Sequence, residues 1–65
     1  MNIELNGEPV NVKATTLEGV MHELGHDNQA VATAVNGTFV PATERSTYTL
    51  SEGDRIEIVA PMQGG

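Results

Sequence analysis

Thr15-Thr16-Leu17-Glu18-Gly19-Val20-Met21-His22-Glu23-Leu24-Gly25 decides the fold, because it is the one stretch of the chain with a convincing helical period. Leu17, Val20, Met21 and Leu24 fall at i, i+3, i+4 and i+7 and form a single apolar stripe. Thr15 or Thr16 marks the start, with Thr15-Thr16-Leu17-Glu18 matching a capping box, and Gly25 suits a left-handed stop. Gly19 inside the helix costs about 1 kcal/mol relative to alanine. A helix this short is marginal alone, so tertiary packing must hold it.

Before the helix, the period is two. Met1, Ile3 and Leu5 share one face, Asn6-Gly7-Glu8 interrupts, and Val10 and Val12 resume the alternation, which predicts a hairpin. Pro9, close behind the Asn-Gly pair, points to a loop slightly longer than two residues. After the helix, a polar connector from His26 to Gln29 leads to a strand over residues 31–35, the turn Asn36-Gly37 and a strand over residues 38–40. The bulkier Val/Thr face should meet the helix, leaving Ala32 and Ala34 on the open face. Residues 41–49 read as irregular and polar apart from Tyr48. Leu50, the turn Ser51-Glu52-Gly53-Asp54, and a last strand from Arg55 to Val59 follow, with Ile56 and Ile58 alternating against Arg55, Glu57 and Val59.

One helix crossing one mixed sheet is the economical packing for this order. The final strand can lie parallel to the first in the middle of the sheet. That arrangement is the α+β β-grasp, or ubiquitin-like, architecture, with a four- to five-stranded mixed sheet packed on one helix. The domain is expected to occupy residues 1–60, and residues 61–65 to form a flexible C-terminal tail ending in Gly-Gly. The expected core is Ile3, Leu5, Val10, Val12, Leu17, Val20, Leu24, Val35, Leu50, Ile56 and Ile58.

Composition narrows the chemistry. A 65-residue chain has room for one small domain and little for an internal pocket, so chemistry should lie at the surface or a terminus. Nine acidic residues against three basic ones give a net charge of -6, which repels phosphate backbones and anionic membranes. Phe39 and Tyr48 are the only aromatics, so a base-stacking platform is missing as well, and nucleic acid is not an expected partner. The absence of cysteine removes disulfides, thiolate metal sites and side-chain persulfides. The first residues contain neither a basic leader nor a long apolar run, so a soluble cytoplasmic protein without a membrane partner is expected.

His22-Glu23-Leu24-Gly25-His26 is a literal His-Glu-x-x-His, the pattern in which two histidines one helical turn apart bind zinc while the glutamate activates water. The second histidine falls at or beyond the Gly25 stop, and no third histidine exists, so this zinc site is only a remote alternative. Glu52, Asp54 and Glu57 are too few and too irregularly spaced for a calcium loop; Asp54 suits the turn before the last strand. The remaining feature is Ala60-Pro61-Met62-Gln63-Gly64-Gly65, directly after the predicted central strand. Its base is rigid, its end is slim, and a terminal carboxylate there could thread another enzyme's channel. Activation at the α-phosphate of ATP would turn that carboxylate into an acyl adenylate open to sulfur or nitrogen nucleophiles.

The chain resembles the sulfur-carrier family of thiamine biosynthesis (ThiS), with the molybdopterin synthase small subunit (MoaD) and ubiquitin as more distant relatives. The carrying segments are Met-x-Ile-x-Leu-Asn-Gly at the start, Thr16-Leu17, Val35-Asn36-Gly37 with Val40-Pro41, Leu50-x-x-Gly53-Asp54-Arg55-Ile56-Glu57-Ile58-Val59, and Gly64-Gly65. The resemblance implies a carrier rather than an enzyme, with no catalytic residue, bound cofactor or metal of its own. Gly65 would be adenylated by a ThiF-like adenylyltransferase using ATP and then converted to a thiocarboxylate, 1-thioglycine, with sulfur from a cysteine desulfurase route. Thiazole synthase (ThiG) would accept the sulfur. Gly64, Gln63 and Met62 would form the approach, and Ala34 and Val59, rimmed by Glu57, would dock the activating enzyme. The compact length and Pro61-Met62-Gln63 favour the thiamine branch; a carrier for molybdopterin or another thiocarboxylate pathway is the alternative.

Overall fold

Asn6 and Gly7, at φ 49° and 88°, reverse the chain between β1 (Asn2–Leu5) and β2 (Glu8–Asn11) in this computed structural model, which describes residues 1–26 and 30–60. Leu5 pairs with Glu8, so the loop is two residues long and not longer as Pro9 suggested. Pro9 is accommodated because β2 is an edge strand, where a missing N–H is tolerated. Asn36 and Gly37, at φ 51° and 85°, repeat the device between β3 (Ala32–Val35) and β4 (Thr38–Val40). Asn and Gly tolerate the left-handed conformation that these tight hairpins require.

The sheet has five strands in the order β2-β1-β5-β3-β4, with β5 spanning Arg55–Val59. β5 runs parallel to β1, with Leu5 opposite Ile56, and antiparallel to β3, with Val35 opposite the same Ile56. The last strand therefore occupies the centre of a mixed sheet, and one helix, α1 (Leu17–Glu23), covers one face. This is the expected β-grasp architecture, with the strand count settled at five.

α1 starts at Thr16, whose hydroxyl accepts the Gly19 N–H at 3.1 Å. The Thr15 to Glu18 capping box does not form: with Thr16 as cap, the residue three positions on is Gly19, which has no side chain to reach back. The other early amides also find acceptors. Leu17 N–H donates to the Tyr48 carbonyl, Glu18 N–H to that of Arg45, and Val20 N–H to that of Thr16. The segment predicted as irregular thus supplies the acceptors that a helix start lacks; it contains a 3-10 turn, Ala42–Glu44, and a Thr16–Thr49 bridge. At the other end, Gly25 at φ 84° donates to His22 O, and His26 N–H reaches back to Met21 O at 2.7 Å, the paired bonds of a Schellman stop.

Ile3, Val12, Leu17, Val20, Met21, Val35, Val40, Leu50, Ile56 and Ile58 form the buried cluster. Each such side chain contributes about 1.5–3 kcal/mol by leaving water. The sequence-based core omitted Met21 and Val40 and included Leu5, Val10 and Leu24, which are only partly buried. Leu24 is the helix C-cap and Val10 lies on the edge strand, so both sit at the margin of the packed layer. Val40 turns inward because it pairs with Thr33, itself buried. The Thr33 hydroxyl donates to Val40 O at 2.8 Å and accepts from Arg45 Nε at 3.0 Å, which satisfies the one buried polar side chain of the sheet face. Among the described residues no helix is long and apolar enough to cross a membrane.

Candidate functional site

Alternation along the strands turns Arg55, Glu57 and Val59 of β5 away from the helix, together with Ala32 and Ala34 of β3 and Phe39 of β4. The registers bring these outward residues together. Ala34 lies between Glu57 on one side and Phe39 on the other, and Ala32 is opposite Val59. They line a shallow apolar depression on the open face of the sheet. Phe39 is 65% exposed and Val59 56%, the two large hydrophobic side chains most open to solvent among the described residues.

The outer face is divided along its length. Its apolar part lies on β3, β4 and the C-terminal end of β5. The opposite part carries Asn2 paired with Asn11, and Glu4 paired with both Pro9 and Arg55. The apolar part thus adjoins the point where the chain leaves the sheet after Val59. A partner seated there would gain burial of Phe39 and Val59 and meet the Glu57 carboxylate at the rim, with Arg55 further along the same strand.

The expected docking residues Ala34, Val59 and Glu57 are therefore contiguous. Two members of the patch were not assigned to it from the sequence, Phe39 and Ala32. The available signal for Phe39 was the two-residue Asn36-Gly37 turn, which forces position 39 opposite position 34 and out from the core. Met62, Gln63, Gly64 and Gly65, the expected tail and reacting end, lie outside the described residues.

The His-Glu-x-x-His stretch has a different geometry from a zinc helix. Glu23 accepts the Ala14 N–H at 2.9 Å and the Lys13 N–H at 3.0 Å, which ties the end of α1 to the chain entering it. Those bonds, that of Ala14 first, hold the Glu23 carboxyl below its ordinary pKa of 4.5. His26 comes after the Gly25 stop, so it does not continue the helical face of His22. No group of three or more His, Cys, Asp or Glu among the described residues could hold a metal ion. Asp54 serves its turn as expected, accepting the Ser51 N–H at 2.8 Å and the Asn36 side-chain amide at 3.0 Å.

The ThiS family model matches residues 1–65. The sulfur carrier protein ThiS of Thermus thermophilus is 39% identical over 61 residues, covering 94% of this chain and 95% of that protein. A thiazole synthase of Paramagnetospirillum magneticum is 38% identical over 66 aligned positions that include the whole chain. The chain spans only about a fifth of the length of the thiazole synthases it matches. The crystal structure of the thiamine biosynthesis protein ThiS from Geobacter metallireducens superposes with a TM-score of 0.84 at 27% identity, with all of both chains covered. The full-length family match, the near-complete overlap with a sulfur carrier and the shared topology lead to one conclusion: this chain belongs to the ThiS family.

Proposed function

We propose that the protein is a sulfur carrier of thiamine biosynthesis, serving in thiazole formation as a protein cosubstrate rather than as a catalyst. The observation that carries the reading is where the central strand ends. β5, the central strand of the sheet, ends at Val59 within an exposed apolar patch that also holds Ala32, Ala34 and Phe39. A partner that grips this patch sits where the chain leaves the sheet after Val59, and acyl activation at residue 65 needs no pocket in the carrier.

In this reading a ThiF-like adenylyltransferase docks on the patch and binds ATP. A Gly65 carboxylate oxygen attacks the α-phosphorus, pyrophosphate leaves, and the acyl adenylate is now a good electrophile. The terminal sulfur of a protein persulfide charged through a cysteine desulfurase route attacks the carbonyl carbon and AMP departs, forming an acyl disulfide. A second thiol of the donor attacks the donor-side sulfur, closing a disulfide on the donor and releasing 1-thioglycine at position 65. Gly64, Gln63 and Met62 provide a narrow approach, and the absence of cysteine leaves no competing thiol on the carrier. Thiazole synthase accepts the sulfur. Support for that partner is the stretch of similar sequence within two thiazole synthases.

The test is intact-mass measurement after incubation with the adenylyltransferase, ATP and a sulfur source. The chain should gain the mass difference between one sulfur and one oxygen, and a variant lacking Gly64 and Gly65 should not. Normal activation of the shortened variant overturns the proposal.

A further inference from the structure

The two Asn-Gly turns do more than reverse the chain, because the side chain of each asparagine reaches across to β5. Asn36 binds its start: Arg55 N–H donates to Asn36 Oδ1 at 3.0 Å, and the Asn36 amide donates to the carboxylate of Asp54, one residue before the strand, at 3.0 Å. Asn6 binds the other end. Its Nδ2 donates to Ile58 O at 3.1 Å, while its Oδ1 accepts the Ile58 N–H at 2.9 Å, 52 positions away in the chain.

The second contact has a topological cause. Pairing of β1 with β5 stops at Leu5 opposite Ile56, because the chain then turns away at Asn6-Gly7. β5 continues to Val59, and β3 covers it on the other side to that point, with Ala32 opposite Val59. The ladder on the β1 side runs from Glu4 N–H to Asp54 O and from Asn6 N–H to Ile56 O, both at 2.9 Å. The next step would need a carbonyl and an amide from main chain that is no longer there. The Asn6 side chain supplies both, and a single orientation of its amide satisfies the pair. A left-handed backbone at φ 49° and a short amide are the combination that makes this possible, which is why Asn suits the position where Gly alone would satisfy the turn.

We propose that Asn6 is a positioning residue of the carrier, clasping Ile58 so that the C-terminal segment departs from a fixed point beside the apolar patch. This rests on the carrier reading given above. A strand bonded on one edge only would fray at its end, and the partner would have to order it before the carboxylate met ATP. With the clasp in place that ordering is already complete when docking occurs. Asn6 touches no reacting atom; it acts through β5.

Asn6→Gly tests this, since glycine keeps the left-handed turn and deletes only the clasp. Amide exchange at Ile58 should quicken about 10-fold or more while that at Asn36, bonded to Arg55 O, is unchanged. In adenylation by the ThiF-like enzyme, followed by pyrophosphate release, kcat should fall about 5- to 10-fold with KM for the carrier within about two-fold. Asn36→Gly removes the clasp at the far end of β5 and should leave kcat within about two-fold of wild type.

Unchanged exchange at Ile58 overturns the clasp. Faster exchange with unaltered kcat, or an equal loss in Asn36→Gly, overturns the positioning role. A wild-type chain that is not adenylated at all overturns the carrier reading and the delivery role together, and the exchange data separate that failure from failure of the clasp.

Discussion

Replacing Gly19 with alanine sets helix propensity against packing. In a helix interior alanine is favoured over glycine by about 1 kcal/mol, so propensity alone makes Gly19→Ala stabilising. A methyl group built at this position would lie 2.9 Å from Ala14 Cβ and 3.1 Å from Thr16 Oγ1. Carbon atoms pack best at about 3.5–4.0 Å, and Ala14 Cβ is anchored on the backbone, so it has no rotamer by which to retreat. Overpacking of this kind costs about 1–3 kcal/mol. The second close contact threatens the Thr16 cap, itself worth about 1 kcal/mol. Packing therefore outweighs propensity, and Gly19→Ala should lose about 1–2 kcal/mol net. For a domain of this size that is a large share of a total of about 3–10 kcal/mol. Urea unfolding of wild type, Gly19→Ala, Ala14→Gly and the double variant gives the measurement. The double variant should be more stable than the two single losses added together, because the clashing methyl is gone. A Gly19→Ala chain as stable as wild type, or more so, refutes the argument.

Thr33→Val keeps the shape of the buried side chain but removes the donor to Val40 O and the acceptor for Arg45 Nε. A loss of about 1–3 kcal/mol is expected in urea unfolding, and a loss under about 0.5 kcal/mol contradicts the assigned role of the hydroxyl. Glu23 should govern part of the acid limb. Its folded pKa is depressed, so its contribution is present above the ordinary value of 4.5 and is lost as pH falls through the lower folded value. Below 4.5 the unfolded chain takes up this proton first. The Glu23→Gln chain should therefore show a flatter decline of its urea midpoint on acidification than wild type, and identical slopes would count against the two amide bonds to Glu23.

Much of the fold was readable because it depends on periodicity. Ile3, Leu5 and Val10 announce a hairpin, Leu17, Val20, Met21 and Leu24 a helix, and Ile56 and Ile58 a strand, since each pattern reflects which side chains must leave water together. The candidate docking patch was legible in part for the same reason: Ala34, Glu57 and Val59 are the out-of-phase members of those strands. Phe39 escaped assignment because its exposure follows from its pairing with Ala34 on β3, and register is a relation between segments. The capping box failed on a shift of one residue, which the local sequence tolerates equally well.

By itself the sequence determined the element types, the placing of the two Asn-Gly reversals and the character of the outer sheet face, because these are set by neighbours within a few positions. The tertiary structure alone decided which contacts close over long separations. It put Glu23 on the amides of Lys13 and Ala14, made Gly19 a packing requirement, and placed Asn6 against Ile58. Each of these depends on where a donor or a methyl group from another segment comes to lie, and only the folded chain brings those atoms within hydrogen-bonding or van der Waals distance.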